Sequence, residues 1–451
     1  LGICYSTELV SELKQYRITG KGAGEIAASV ERAIEAGSLS PGDPLPAVRR
    51  LATQLGVSPT TVAAALADLR SRGLVVTRER SRSYVSWRPP VAGAWLESVI
   101  PAGTRDLASG NPDPALLPNL KPFLRRMEPP HQLYGGDPVD PELLRLAEAE
   151  FAEAGIGAAD IAVVSGALDG IERALQGHLR SGDVVAVEDP GYAGLFDLLR
   201  ALGLALRPVP VDEKGMIPAA LGEALGEGAT AVVVNPRGQN PTGASLDRTR
   251  AEELRRVLDD APNAMVVEDD HLGPIAGAPR LTLTTGRSRW AAARSVAKSL
   301  GPDIRLAVLA GDAQTISRVR GRQAVGPHWV SHLLQRLVAM LWSDTDVVAT
   351  LEQAAEVYGE RRDRFVKALA ERGIEARASA GITVWIPVPE EAPVVQSLLE
   401  RGWAVSPGAP YRLQSERAIR VTISTLKERE GYELAEAIED ALRPARRTRT
   451  A

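Results

Sequence analysis

Arg294-Ser295-Val296-Ala297-Lys298-Ser299-Leu300-Gly301-Pro302-Asp303-Ile304-Arg305 is the stretch on which the reading of this chain turns. It sets a lysine three residues after a serine and seven before an arginine, and Gly-Pro interrupts any regular element inside it. Upstream, Asn240-Pro241-Thr242-Gly243 and Glu268-Asp269-Asp270 each come after an apolar run. The apolar runs at 161–164, 184–187, 231–234, 265–267 and 306–309 alternate with helical stretches. That rhythm predicts βαβ units: an α/β domain with a mainly parallel sheet and helices on both faces. In such folds chemistry collects at the carboxyl ends of the strands and the starts of the following helices, which is where these distinctive residues fall.

Taken one by one, the residues suggest a flat heterocycle with a phosphate arm. Gly166 and Ala167, in Ser165-Gly166-Ala167-Leu168-Asp169, are small enough to let backbone N–H groups and a helix start approach a phosphate, although such a run is common in turns. Tyr192, in Glu188-Asp189-Pro190-Gly191-Tyr192, is either a ring that stacks on a heterocycle or a core tyrosine. Asn240 offers an amide to a phenolic oxygen. Asp269, at a strand end, suits a pyridinium nitrogen and would be costly to bury without a partner. Lys298 supplies an amine for covalent attachment, Arg305 a bidentate grip on phosphate and Ser295 a hydroxyl. Together they describe a pyridoxal 5'-phosphate pocket, with Lys298 and Asp269 as its catalytic pair.

Composition leaves room for more than this one domain. The chain has 451 residues, 44% hydrophobic and 24% charged, which is ordinary globular composition at a length that predicts two or more cores. One cysteine, Cys4, and five histidines argue against a disulfide framework and a cysteine zinc site, so no metal is expected and a reducing cytoplasm fits. The first twenty residues lack a charged segment leading into an apolar core, and no apolar run is long enough for a bilayer, so neither export nor a membrane span is expected. The net charge of −4 is uneven: residues 1–90 carry 12 Lys/Arg against 8 Asp/Glu, which leaves −8 on the rest. A basic head on an acidic body suits approach to phosphates, but chance accounts for such a split equally well.

Pattern in the first ninety residues adds to that. Ile26, Val30, Ala33 and Ile34 share a helical face up to Gly37, and Pro41-Gly42-Asp43-Pro44-Leu45-Pro46 is a rigid turn. Val48, Leu51, Ala52 and Leu55 then repeat at helical spacing up to Gly56. Ser58 caps and Pro59 opens a third helix with Val62, Leu66 and Leu69 inward, until Gly73. Residues 74–77 and 83–86 read as two strands around Arg78-Glu79-Arg80-Ser81-Arg82, a basic wing.

These residues resemble the GntR-type winged helix through Pro41-Gly42-Asp43, Leu45-Pro46, Arg49-Arg50-Leu51-Ala52, Gly56-Val57-Ser58 and Thr61-Val62. The resemblance implies that Arg49 meets phosphate or a base edge. It also implies that Ser58, Thr60 and Thr61 meet DNA at the start of the recognition helix, and that Arg80 and Arg82 grip the backbone. The wing departs from the family pattern, with Arg80, Ser81, Arg82 and Ser83 where glycines are usual.

Residues 105–442 resemble a fold-type I aminotransferase of class I/II. That resemblance assigns Gly166, Ala167, Ser295 and Arg305 to the cofactor phosphate, Tyr192 to the ring face, Asn240 to the phenolic oxygen, Asp269 to the ring nitrogen and Lys298 to covalent attachment. It adds Tyr134, which implies contact with the phosphate of a neighbouring subunit, and Arg420, which implies a clamp on a substrate or effector carboxylate. His271 stands where the family has a tyrosine donor near the phenolic oxygen, and an imidazole there is expected to titrate near neutrality.

The whole resembles the MocR/GabR-type regulators: a winged helix over 1–86, a linker over 87–104, an aminotransferase-like domain over 105–442 and a basic tail over 443–451 that reads as disordered. The resemblance implies a homodimeric transcriptional regulator that binds an operator in double-stranded DNA and senses pyridoxal phosphate, an amine or an amino acid. A working aminotransferase with an appended head, and a regulator with a vestigial pocket, stay open at this point.

Overall fold

Ile26, Ala27 and Val30 on one helix, Leu51 and Ala52 on a second, and Val62, Ala65, Leu66 and Leu69 on a third are all buried against each other, as three amphipathic segments of this length require. They belong to the N-terminal of two compact units. The computed structural model describes residues 18–443 except 37, 41, 72–73, 79–81, 86–99 and 158, and every element named below belongs to the described residues. The expected boundary at 86/87, most of the linker 87–104 and the tail beyond Arg443 lie outside them, as do Cys4, Gly37, Pro41, Gly73 and Arg80.

The N-terminal unit holds α1 (Ala23–Glu35), α2 (Val48–Leu55) and α3 (Pro59–Ser71), followed by β1 (Val75–Arg78) and β2 (Arg82–Val85), which pair antiparallel. Gly56 ends α2 in the left-handed region, φ 65°, where a side chain would be strained. Ser58 Oγ accepts the Thr61 N–H at 3.1 Å and so caps α3, as its position before Pro59 predicts. The turn at 42–45 is bonded to the second wing strand: Gly42 N–H donates to Val85 O, Val85 N–H to Asp43 O and Leu45 N–H to Ser83 O.

The C-terminal unit opens with β3 (Arg105–Asp106) and is built on a sheet of β4 (Asp160–Val164), β5 (Val184–Asp189), β6 (Ala205–Asp212), β7 (Gly215–Met216), β8 (Ala229–Val234), β9 (Met265–Asp270), β10 (Trp290–Ser295) and β11 (Ala307–Gly311). The spatial order is β4-β11-β10-β9-β8-β5-β6-β7. Strands β6, β5, β8, β9 and β10 run parallel, whereas β11 is antiparallel to both of its neighbours, β10 and β4. The five apolar runs seen in the sequence are all strands, and β6, β7 and β10 are additions. The central strands β9 and β11 are buried along their whole length, and β8 is buried except at Thr230, as apolar runs covered on both faces require. A smaller sheet joins β12 (Thr383–Pro387), β15 (Ala418–Thr422) and β14 (Ser406–Pro407), and β13 (Trp403–Ala404) pairs with β3.

This topology gathers the site. Ser165, Tyr192, Asn235, Asp269 and Ser295 lie at or just beyond the carboxyl ends of β4, β5, β8, β9 and β10, hence along one edge of the sheet. Because β11 runs the other way, it is its entry that reaches that edge, which is why Arg305 stands before a strand and not after one.

Candidate functional site

At the first strand end, Gly166 takes φ 102°, a conformation open to glycine, and turns the chain into the helix Ala167–His178. A Cβ added at Gly166 would lie 3.5 Å from Arg305 Nη2, so the glycine leaves the guanidinium room above the helix start. Arg305 is itself held at φ 46°, is exposed, and has no ion pair or side-chain hydrogen bond among the described residues. A free guanidinium beside the positive end of a helix is a cradle for a dianion. Ser295 Oγ accepts the Ala297 N–H at 3.2 Å, which folds the loop that carries Lys298.

The three consecutive acids on β9 have unlike fates. Glu268 is bonded by Thr282 and by the Leu283 N–H. Asp270 is gripped by Arg237 at 2.6 Å and by the Gly273 N–H at 3.1 Å; burial works to raise it, but the guanidinium wins and keeps its carboxyl below the ordinary range. Asp269, 5% exposed, leaves Oδ1 without a partner, and burial with the charge of Asp270 pushes it up to about 7. A buried, unpartnered carboxylate oxygen calls for a cationic N–H donor, and a pyridinium nitrogen meets that need. The Asn235 amide steadies the same strand end by donating to Asp269 O at 2.6 Å.

Around this acid stand the other members of the set. Lys298 Nζ donates to Gly110 O at 2.6 Å, and burial, then the charge of Arg420, pushes the amine down to about 8. Arg420 is buried on β15; Nη1 donates to Asn240 Oδ1 at 3.2 Å and Nη2 to Ala108 O, while Nε is buried without a partner. Asn240 Nδ2 makes no hydrogen bond among the described residues and stays available as a donor. Tyr192 is half-buried, and burial followed by Asp269 pushes its phenol up to about 12, so it is neutral.

The structure corrects the expectation for His271. Burial and the nearby Lys298 push its imidazole down to about 4, with Nδ1 3.4 Å from Asn235 Nδ2. It is neutral through the physiological range and does not titrate near neutrality. Tyr134 is not brought to the pocket by its own chain: it is 84% exposed, with its ring 5.8 Å from His328 and 5.5 Å from Trp329.

Sequence reasoning missed the backbone of 108–110, whose carbonyls accept from both Lys298 and Arg420, and it missed Tyr411, whose ring lies 4.7 Å beneath the Arg420 guanidinium. The run Ser109-Gly110-Asn111-Pro112 was the available signal for the first. Nothing local marks the second.

In the N-terminal unit, Arg49 and Arg50 are exposed on α2, and the hydroxyls of Ser58, Thr60 and Thr61 cluster at the start of α3, 2.7 and 2.8 Å from Ser58 Oγ. Both groups are free to meet a polyanion. Arg80 lies outside the described residues, and Arg82 is described as a β2 backbone position opposite Arg78.

The donor set fits pyridoxal 5'-phosphate: an anion cradle, an acid for the ring nitrogen, an amide for the phenolic oxygen and an amine of lowered basicity. Comparison with known proteins agrees. The family model for aminotransferase class I and II matches residues 106–438, and that for bacterial regulatory proteins of the gntR family matches 23–85. The vitamin B6 salvage pathway transcriptional repressor PtsJ of Salmonella typhimurium is 39% identical over 94% of this chain and 99% of its own. The HTH-type transcriptional regulator TauR of Rhodobacter capsulatus is 28% identical over 85% and 88%. An archaeal alanine:glyoxylate aminotransferase structure superposes with a TM-score of 0.68 at 22% identity, covering 75% of this chain and 90% of that one, a likeness of fold. With an aminotransferase fold carried behind a GntR-type head, the chain belongs to the aminotransferase class I and II family and, within it, to the MocR/GabR-type regulators.

Proposed function

We propose that this chain is a transcriptional regulator that binds pyridoxal 5'-phosphate in its C-terminal unit and alters operator binding by its N-terminal unit according to what that pocket holds. The observation that carries the reading is the unpartnered oxygen of buried Asp269, set with the lowered amine of Lys298 in a chain that also bears a helix-turn-helix. When bound, the cofactor supplies an electrophilic carbonyl carbon and an electron sink. The chain supplies the rest. Asp269 holds a proton at the ring nitrogen, Gly166, Ala167, Ser295 and Arg305 hold the phosphate, Asn240 donates to the phenolic oxygen and Tyr192 covers the ring. Lys298 offers its nitrogen, and Arg420 receives an effector carboxylate.

The name of the Salmonella relative ties that protein to vitamin B6 salvage, which supports the cofactor itself as the sensed ligand. Double-stranded DNA is the partner of the head through Arg49, Ser58, Thr60, Thr61, Arg80 and Arg82. We place the protein in the cytoplasm as a homodimer in which Tyr134 reaches the partner subunit's cofactor phosphate. The domain division is 1–86, 87–104, 105–442 and 443–451. The presence of Lys298, Asp269 and Arg420 together favours a second reading, a transaminase tethered to DNA, and half-reaction spectra with an amino-acid panel separate the two.

The test is mobility shift on the upstream DNA of the gene, with and without pyridoxal phosphate. Wild type is expected to change its affinity on addition, and Lys298→Ala to bind DNA but not respond, since linkage requires the ligand to distinguish two states. An equal response of both proteins would remove Lys298 from sensing.

A further inference from the structure

The segment 408–418, which leads into β15, is tied down at both ends by buried carboxylates. Asp189 accepts the N–H groups of Leu413, Gln414 and Ser415 and the Ser415 hydroxyl, at 2.7 to 2.9 Å. Glu391 accepts the Ala409 N–H at 2.7 Å, the Ala418 N–H at 3.2 Å and Arg412 Nη2 at 2.8 Å. A Cβ added at Gly408 would lie 2.8 Å from the Trp385 ring, so the segment sits tight on the small sheet. What this clamping presents is Tyr411. Its ring is buried with Ala193, Trp385 and Ala418, has Trp385 edge-on at 6.2 Å, and lies 4.7 Å below the Arg420 guanidinium. Its main chain reaches the other wall of the pocket, because the Gly191 N–H donates to Tyr411 O at 2.8 Å, one residue before Tyr192.

Arg420 needs such a support. Its hydrogen bonds to Ala108 O and Asn240 Oδ1 are made by N–H groups at the edge of the planar guanidinium, and such edge contacts do not support its face. A hydrogen-bonding side chain underneath would consume an N–H that a carboxylate needs. An aromatic face attracts the cation and consumes none.

We propose that Tyr411 is the positioning residue that sets Arg420 for a carboxylate, and that through it the pocket selects α-amino acids over amines that lack the carboxyl group. The proposal rests on the reading of Arg420 as a carboxylate clamp. Asp189 and Glu391 act one step behind, by fixing the segment that carries the ring.

Two probes that differ in one group isolate the effect: N-(5'-phosphopyridoxyl)-L-alanine and N-(5'-phosphopyridoxyl)ethylamine, which undergo no chemistry in the pocket. Their dissociation constants are measured by fluorescence on the full chain. Wild type is expected to prefer the alanine conjugate by about tenfold or more, as a charge-assisted bidentate contact requires, and Arg420→Gln to lose the preference. Tyr411→Phe retains the face and is expected to retain the preference. Tyr411→Leu and Tyr411→Met remove the face and are expected to shrink the preference about fivefold, with the ethylamine conjugate unchanged within about twofold. The methionine variant carries the measurement if the leucine variant does not fold. Full preference in either variant overturns the proposal, as does equal weakening of both probes, which would mark a purely structural role. If wild type has no preference, the reading of Arg420 fails and the proposal with it; if Arg420→Gln alone loses it, the role of Tyr411 fails by itself.

Discussion

At the scale of the residue, the pocket is governed by what burial does to charge. Lys298 is an ammonium in water at neutral pH, but burial and Arg420 favour the free amine down to about pH 8. The sign fixes a prediction: below that pH the nitrogen is protonated and cannot attack, so covalent capture of pyridoxal phosphate should accelerate as pH rises through about 8 and then level off. Stopped-flow absorbance reads it, and Lys298→Ala should leave no borohydride-reducible attachment. For Asp269→Asn, loss of a charged acceptor of an N–H should weaken cofactor binding by about 1.5–3 kcal/mol, roughly ten- to a hundredfold, in a spectral titration; unchanged affinity would place the ring nitrogen elsewhere. Most of these side chains were legible in the sequence because each follows its own strand at a recognisable spacing. The titration of His271 was not. Its value depends on burial and on Lys298, which no spacing reveals. Tyr411 escaped for a similar reason, since its partner Arg420 is met only after the chain has looped through 408–418.

At the scale of the element, local composition explains which strands could be read. The compact apolar runs, mostly of valine with isoleucine or leucine, announced β4, β5, β8, β9 and β11. By contrast β10, Trp-Ala-Ala-Ala-Arg-Ser, is alanine-rich, a helical preference overruled by its place between β9 and β11. Strand β6 carries Pro208 and Pro210, which local rules demote, yet it pairs with β5 from Ala205 to Pro210. The turn after Asn240 rests on Gly243, at φ 72°, where a Cβ would lie 2.7 Å from Ala380 O. Gly243→Ala should therefore cost about 1–3 kcal/mol, seen as a lower Tm and weaker cofactor retention. In the head, α2 exposes Arg49 beside the capped start of α3. Arg49→Ala should weaken DNA binding and, if its contact is to phosphate alone, flatten the salt dependence by about one unit of slope. An unchanged slope would make the contact one to a base or none at all.

At the scale of the whole molecule, a head of net +4 and a remainder of −8 let one unit approach a polyanion that the other repels, a division that the total of −4 conceals. Chain order adds a second relation. The stretch 108–111 follows β3 near the start of the C-terminal unit, and its carbonyls take hydrogen bonds from Lys298, Arg420 and Ser424. Lys298 Nζ as an ammonium has three hydrogens and gives one to Gly110 O at 2.6 Å; a nitrogen committed to the cofactor would keep at most one, for which Gly110 O would have to compete. Loading the pocket should then slacken this stretch. Hydrogen exchange at Gly110 and Asn111 should quicken on addition of pyridoxal phosphate, and in Lys298→Ala it should be quick from the outset and indifferent to the cofactor. The lysine that takes the ligand would thus be a latch on the opening segment of its own unit, undone by the bond it makes.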